Sequence, residues 1–480
     1  MASKGPSDLS DGYGHQSHPG VSPTRRIFAA YLALLVLAPI PLGSNRPWAW
    51  TILELWVFLL AMWWLLGYLR GKHRSNTVFN KSWPALVCGA VWLGHVWLQL
   101  APLPLEVLSR VSPEAARWHE IAAHPAVLDA APLTLDRHGT LQAALKSTAY
   151  VVFFALSLLL LSQRERITAA AFTLVISGFA QAMFGGLSAL ADSFGESAHG
   201  SFVNRNHYAA YLVMCLSVGI GVLIANLTGA VSRTWKQFFR NVIALILSPR
   251  MLLRLALVVM VIALVLTRSR MGNSSFFVSL LAAGAIGLAF SKRATRSMVV
   301  LIASLVVVDI FIVGTYFGME RVLERIEQTR LETEDRGDIA SYALNLWRDY
   351  PVFGSGLGSF HAVIPRYWGE IPGAPYTHAH NDYLQFACEV GAVGVVLLGA
   401  MLLMSFLVAL RAQHVRTDPL MRGISFGSMM GIIALMIHSA VDFSLQIPAI
   451  ALTFMLILAL AWISLHHDRA GNRVQRSTDP

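Results

Sequence analysis

Charge is scarce in this chain. Of 480 residues only 13% are Asp, Glu, Lys or Arg, while 55% are hydrophobic. A soluble globular protein carries about 25% charged residues, so this chain has too little polar surface to cover itself in water. A soluble enzyme, a coiled coil and a disordered scaffold are excluded on that ground. Cysteine is scarcer still: Cys88, Cys215 and Cys388 all fall in apolar segments, with no CxxC pair. They form no disulfide framework and read as small buried hydrophobes.

What is present is a series of apolar runs of about 20 residues, the length of a helix that crosses a bilayer. The expected fold is an all-α polytopic membrane protein of about twelve transmembrane helices. The spans fall near 27–43, 48–69, 83–103, 144–162, 167–190, 207–227, 251–267, 273–290, 298–318, 383–410, 424–441 and 448–465. Twelve spans put both termini on one side. Calling that side cytoplasmic places 23 of the 37 Lys and Arg residues on it, and every short inside loop is then net positive. The positive-inside rule thus accounts for the formal charge of +10 without invoking nucleic acid. Residues 1–24 form a disordered cytoplasmic tail, 25–318 the first nine spans, 319–382 a large outside loop, 383–465 the last three spans and 466–480 a second cytoplasmic tail. Arg25-Arg26 before an apolar run imitates a secretory signal. Cleavage there would strand the Arg-rich 70–81 segment on the wrong side, so an uncleaved first helix is expected.

Two outside segments are long enough to fold. Segment 106–143, with Pro113, Pro125 and Pro132, predicts one short helix between extended linkers. In 319–382 the spacing of Ile339, Ala343, Leu346 and Trp347 predicts an amphipathic helix over 336–349, ended by Pro351 and by Gly354, Gly356 and Gly358. The outside mouths of the helices also carry the unusual polar groups. These are Asn204-Arg205-Asn206-His207, Arg268-Ser269-Arg270, Arg336-Gly-Asp338, and the run His378-Ala-His380-Asn381-Asp382 followed by Glu389. Arginine presents a planar, permanently charged fork that fits phosphate oxygens. Several at a water–lipid boundary suit a pyrophosphate whose lipid tail stays in the bilayer. A histidine beside them suits proton abstraction from a hydroxyl, because its ordinary pKa lies near neutrality. Nearby arginine charge disfavours the imidazolium and keeps such a base neutral. No ATP is available outside the cytoplasm, so an activated lipid-linked donor is the natural energy source.

The pattern His378-x-His380-Asn381-Asp382-x-Leu384, then Glu389-x-Gly391-x-x-Gly394, resembles the O-antigen ligase and O-antigen polymerase superfamily. So do the upstream turn Asp349-Tyr-Pro351-Val-Phe-Gly354-x-Gly356-x-Gly358-x-Phe360, the Ser269-Arg270 pair and Asn204-Arg205-Asn206-His207. The resemblance covers roughly residues 200–400. It implies a bacterial inner-membrane glycosyltransferase of lipopolysaccharide biosynthesis, inverting, metal-independent and without a cofactor, with its site on the periplasmic face. The donor implied is a glycan on undecaprenyl diphosphate; the acceptor is a sugar hydroxyl, lipid A–core first. By the same resemblance His380 is the base, and Arg205, Arg270 and Arg336 hold the pyrophosphate. Asn204, His378, Asn381, Asp382 and Glu389 support them. Met271 departs from the small residue that commonly follows the family's Ser-Arg.

Alternatives remain open at this stage. His378 and His380 with Asp382 and His361 compose a possible metal set, which no further Cys/His cluster supports. A single Arg at a helix end also snorkels to headgroups, the reading assigned to Arg268. Glu54, Asp309 and Asp442, in or near spans and without placeable partners, invite a transporter or flippase, although such a protein gathers its polar groups at the midplane. A structural partner of an export complex is a third class. Polymerase and protein O-oligosaccharyltransferase differ from ligase only in the acceptor.

Overall fold

The computed structural model describes residues 23–191, 197–226, 249–290, 339–368 and 377–467. Eleven long helices run through them: α1 (Pro23–Leu37), α2 (Pro47–Leu69), α3 (Trp83–Leu98), α4 (Arg137–Leu160), α5 (Arg164–Ala191), α6 (Arg205–Ala225), α7 (Pro249–Leu266), α8 (Arg270–Phe290), α9 (Asp382–Val415), α10 (Pro419–Ser439) and α11 (Pro448–His466). Eight of these are long and apolar enough to cross a membrane; α1, α3 and α7 are shorter and coincide with three further expected spans. The all-α polytopic architecture expected from composition is therefore what forms. The expected span 298–318, and the tails over 1–22 and 468–480, lie outside the described residues.

Helix starts follow local chemistry. Pro47, Pro419 and Pro448 open α2, α10 and α11, where a missing N–H costs nothing. Asp136, Asn204, Asn381 and Asp418 cap α4, α6, α9 and α10, each side chain accepting a hydrogen bond from a backbone N–H of the first turn. Asp136 explains why α4 begins at Arg137 rather than near 144.

Burial sorts the helices into centre and periphery. In α6 and α11, 89% of the apolar window is buried, and in α10 78%, against 28% in α2 and 22% in α9. A helix apolar on all sides belongs at the centre of a bundle. α6 and α10 approach until backbones touch: a Cβ added at Gly423 would lie 2.3 Å or less from a backbone carbonyl of Gly221, and one at Gly427 2.7 Å from the Ser217 carbonyl. Small residues permit this approach, and packing rather than hydrophobicity holds helices together in lipid. Gly423→Val is expected to lower stability by about 1–3 kcal/mol, read as a lower thermal unfolding temperature in detergent.

The turns expected on the outer face do share one end of the bundle. Ser201 donates to the Pro39 carbonyl, Asp382 binds the turn between α10 and α11, and Gly272 in the first turn of α8 abuts Ala209 in that of α6. At the other end Arg164 pairs with Asp418 at 2.6 Å, joining the starts of α5 and α10.

A small cap sits on the first of these ends. Leu108, Ala115 and Ala131 from the first outside segment pack with Ile339, Ala343, Leu346, Phe360 and Ile364 from the second into one core. Residues 339–349 are helical with Ile339, Ala343 and Leu346 inward, as their spacing predicted; 336–338 lie outside the described residues. The first segment differs from expectation in holding two helices, Leu105–Val111 and Pro113–Ala123. Pro113 opens the second helix instead of interrupting one. Leu103 and Pro104 then pair antiparallel with Ala131 and Ala130. Arg366 ties the two segments together, over the Trp118 ring at 4.0 Å and 3.3 Å from Glu114.

The cap also breaks a helix. At Gly391 (φ 62°, ψ −171°) α9 loses helical geometry. The freed groups are taken by the 351–356 turn: Ser355 and Gly356 donate to the carbonyls of Cys388 and Glu389, while Ala392 and Val393 donate to those of Pro351 and Val352. The Gln99 amide donates to the carbonyls of Phe353 and Glu389 and accepts from the Leu357 N–H. A broken helix is tolerated in a membrane only when its backbone is satisfied in this way. Gly354 (φ 75°) and Gly391 have no room for a Cβ, since one at either would fall within 2.3 Å of the opposing backbone.

Candidate active site

Three segments from distant parts of the sequence meet at the first turn of α9. His378-Ala379-His380-Asn381 makes the approach. Asn381 caps the helix, its Oδ1 accepting from the Leu384 N–H at 3.1 Å. Gln385, one turn in, accepts from the Ala379 N–H and lies 3.2 Å from His378 Nδ1. His380, between those two anchored residues, has φ 49°, a left-handed conformation that costs a non-glycine residue about 1 kcal/mol or more. The neighbours thus hold it where it is.

Beneath the turn lies the loop between α10 and α11. Asp382 accepts from Ser439 Oγ at 2.8 Å and from the Leu445 N–H at 3.0 Å, and its own N–H donates to the Asp442 carbonyl. The loop is thereby fixed to the start of α9, and it delivers Asp442 and Phe443. The Phe443 ring stacks on His378 at 4.0 Å between centroids and meets His380 and His207 edge-on at 5.0 and 4.6 Å. Asp442 Oδ1 lies 3.9 Å from His380 Nδ1 and 3.6 Å from His207 Nε2. Three imidazoles from two segments therefore surround one phenyl ring and one buried carboxylate.

Burial by itself would raise the Asp442 pKa. The His207 contact, the charges of His207 and His438 and the Phe443 N–H outweigh it and hold the carboxyl well below the usual range. Burial dominates at His378 and pushes it down to about 4, assisted by neighbouring histidines and opposed by Gln385. His378 is accordingly neutral in the fold above about pH 4. The unfolded chain binds its proton from about 6.5, so stability is expected to decline as pH falls from 6.5 toward 4. His378→Gln should flatten that stretch of a melting-temperature profile.

The arginines stand beside this cluster. Arg205 opens α6 two residues before His207, and Arg270 opens α8. Both are exposed, and the Gly272–Ala209 contact sets the two helix starts side by side. Arg268 has φ 54° in the turn between α7 and α8, where the buried Thr267 hydroxyl donates to the Leu264 carbonyl and accepts from the Ser269 N–H. Asn204 serves as the cap of α6. Glu389 is fully buried at the break in α9, its Oε1 accepting from Gln385. Arg336 lies outside the described residues.

A cavity of about 690 Å³ opens on the other side of the His378 turn, among α2, α3, α4, α9 and α11. Its wall is polar at the capped end, with His361, His378, Gln385 and Glu389, and apolar beyond, with Phe154, Leu402, Phe454 and Leu458. Along α9 the wall extends from Asp382, past the break at Gly391, to Leu402. Arg205 and Arg270 are not part of that wall.

A bundle of helices of bilayer-crossing length and apolarity is a multi-pass membrane protein. Residues 255–399 match the family described as O-antigen ligase, and over that stretch the chain is similar to that family. No curated protein matches the chain. The matched stretch holds Arg270, Arg336 and the His378–Glu389 run; Arg205, His207 and Asp442 lie outside it and reach the site through the fold.

Proposed function

We propose that this protein transfers a glycan from undecaprenyl diphosphate to a sugar hydroxyl on the periplasmic face of a bacterial inner membrane. Both termini are cytoplasmic in this reading, and lipid A–core is the first acceptor. The observation that carries it is the His380–Asp442 pair, set between two arginine-bearing helix starts and a largely apolar cavity. His380 takes the acceptor proton on Nε2, while Asp442 faces Nδ1 and favours the tautomer with the proton there. The freed oxygen attacks the anomeric carbon from the side opposite the diphosphate, inverting it. The bond to the lipid diphosphate breaks, and Arg205 and Arg270 stabilise the charge that develops on the leaving group. Arg336 is a third candidate for that role. No metal or cofactor is needed for this sequence, because arginine charge does the work of a Lewis acid on the leaving group.

Asn381, Asp382, His378 and Glu389 act by position: cap, loop anchor, stacking partner of Phe443 and hub of the helix break. Asp442→Asn keeps the shape and removes the charge. Turnover is expected to fall about 10- to 100-fold, and the acid limb of the rate profile to move to lower pH, since the carboxylate that favours the imidazolium is gone. A profile unmoved by the change would make Asp442 merely structural.

The reading as a whole is tested by turnover of purified protein with an undecaprenyl-diphosphate glycan, offered lipid A–core or a glycan lipid in separate assays. The productive acceptor separates ligase from polymerase. Transport of the donor across vesicles with no transfer to either acceptor would replace the enzyme with a flippase.

A further inference from the structure

Two cationic residues on the cavity wall have no task in this chemistry. Arg46 precedes α2, and Lys146 projects from α4 on the facing side. The Lys146 ammonium lies over the Trp50 ring, 4.5 Å from its centroid, and among the described residues it makes no ion pair within 4.0 Å. Glu54 and Glu389 are the acidic groups within its electrostatic reach. Glu54 is buried behind the wall and is not part of it; Glu389 is engaged by Gln385. Asp382, the remaining carboxylate on the wall, is held by Ser439 and Leu445. The cavity therefore presents two cations at its polar end that neither carboxylate of the wall pairs with directly, above an apolar wall of Phe154, Leu402, Phe454 and Leu458. An ammonium in such a place is expensive without a counter-ion, and a phosphate is the anion that Arg and Lys together bind best.

We propose that this cavity seats the acceptor, a lipid whose headgroup phosphate rests on Lys146 and Arg46 and one of whose chains lies along α9 and α11. The proposal rests on the glycosyl-transfer reading, which leaves the donor diphosphate to Arg205 and Arg270, away from this wall. It names the acceptor class as a phosphorylated lipid and excludes a protein.

The test uses the full-length protein in detergent: wild type, Arg46→Gln/Lys146→Gln, Arg205→Gln/Arg270→Gln and the charge-keeping Lys146→Arg. Native mass spectrometry measures binding of two probes, lipid A and undecaprenyl phosphate, each against its dephosphorylated counterpart. Wild type should prefer at least one phosphorylated probe by about tenfold. The preference should vanish in Arg46→Gln/Lys146→Gln and persist in Arg205→Gln/Arg270→Gln and Lys146→Arg. In turnover, Arg46→Gln/Lys146→Gln should raise KM for the lipid acceptor about tenfold, leaving kcat and the donor KM within twofold. A preference that survives the cavity variant, or a donor KM that rises in place of the acceptor's, overturns the proposal while leaving the enzyme reading intact. Phosphate-dependent binding through Lys146 in a protein that transfers no glycan would sink the enzyme reading and leave the lipid site standing.

Discussion

His380→Ala is expected to lower the turnover number by about 10²- to 10⁴-fold, the range over which a positioned general base contributes. Donor affinity should change little, because the assigned pyrophosphate contacts lie on α6 and α8. His380 is held in a left-handed conformation between the Gln385-bound Ala379 and the cap residue Asn381. Removing its imidazole leaves that scaffold in place, and the variant should fold. The same change at His378 should cost less than about tenfold in rate, since His378 stacks on Phe443 and is hydrogen-bonded to Gln385. The pH profile separates the two. With a histidine base the rate rises with pH through the base's pKa and levels above it. His378 is pushed down to about 4, so an inflection there would assign the base to His378, whereas one near neutrality would exclude it. Equal turnover in wild type and His380→Ala would remove His380 from the chemistry altogether.

The fold class was legible in the sequence because bilayer length and apolarity are properties of contiguous residues. The amphipathic helix around Ile339, Ala343 and Leu346 was legible for the same reason: its period is local. The region of the site was visible too, since His378, His380, Arg205 and Arg270 stand out as polar residues at span ends. What escaped was their grouping. Asp442 was noted only as an acid without a placeable partner, Gln385 only as the end of the polar run that begins at His378, and Phe443 had no signal at all. His207, His380 and Asp442 come from three segments 62 or more residues apart, and no spacing rule connects them. Lys146 escaped because one lysine near the start of an apolar run reads as a span boundary; its significance comes from the cavity that α2, α4 and α9 enclose. The break at Gly391 was visible as a glycine in a motif, but its cause was not. The turn that satisfies its backbone lies some 35 residues upstream, and Gln99, which ties the two together, almost 300.

Arg205→Ala and Arg270→Ala are each expected to lower kcat by about 10²- to 10³-fold, the cost of deleting one donor that meets charge developing in the transition state. The effect should fall on kcat and kcat/KM alike, because a charge stabilised only as the diphosphate departs is absent from the ground state. The pair also predicts how the losses combine. Arg205 and Arg270 open neighbouring helices whose first turns touch at Ala209 and Gly272, so in the proposed reaction both meet the same diphosphate. Residues sharing one partner are not additive. Once one is gone the diphosphate is misplaced for the other, and the double variant should lose much less than the product of the single losses. Full additivity in the double-mutant cycle would mean that the two act on different groups, and one of them would then have to be reassigned away from the leaving diphosphate. Lys in place of either Arg restores the charge but not the two-pronged geometry, and should recover only part of the rate. Complete recovery would show that charge alone is used, which would favour a general electrostatic field at the two helix starts over direct contact with the diphosphate.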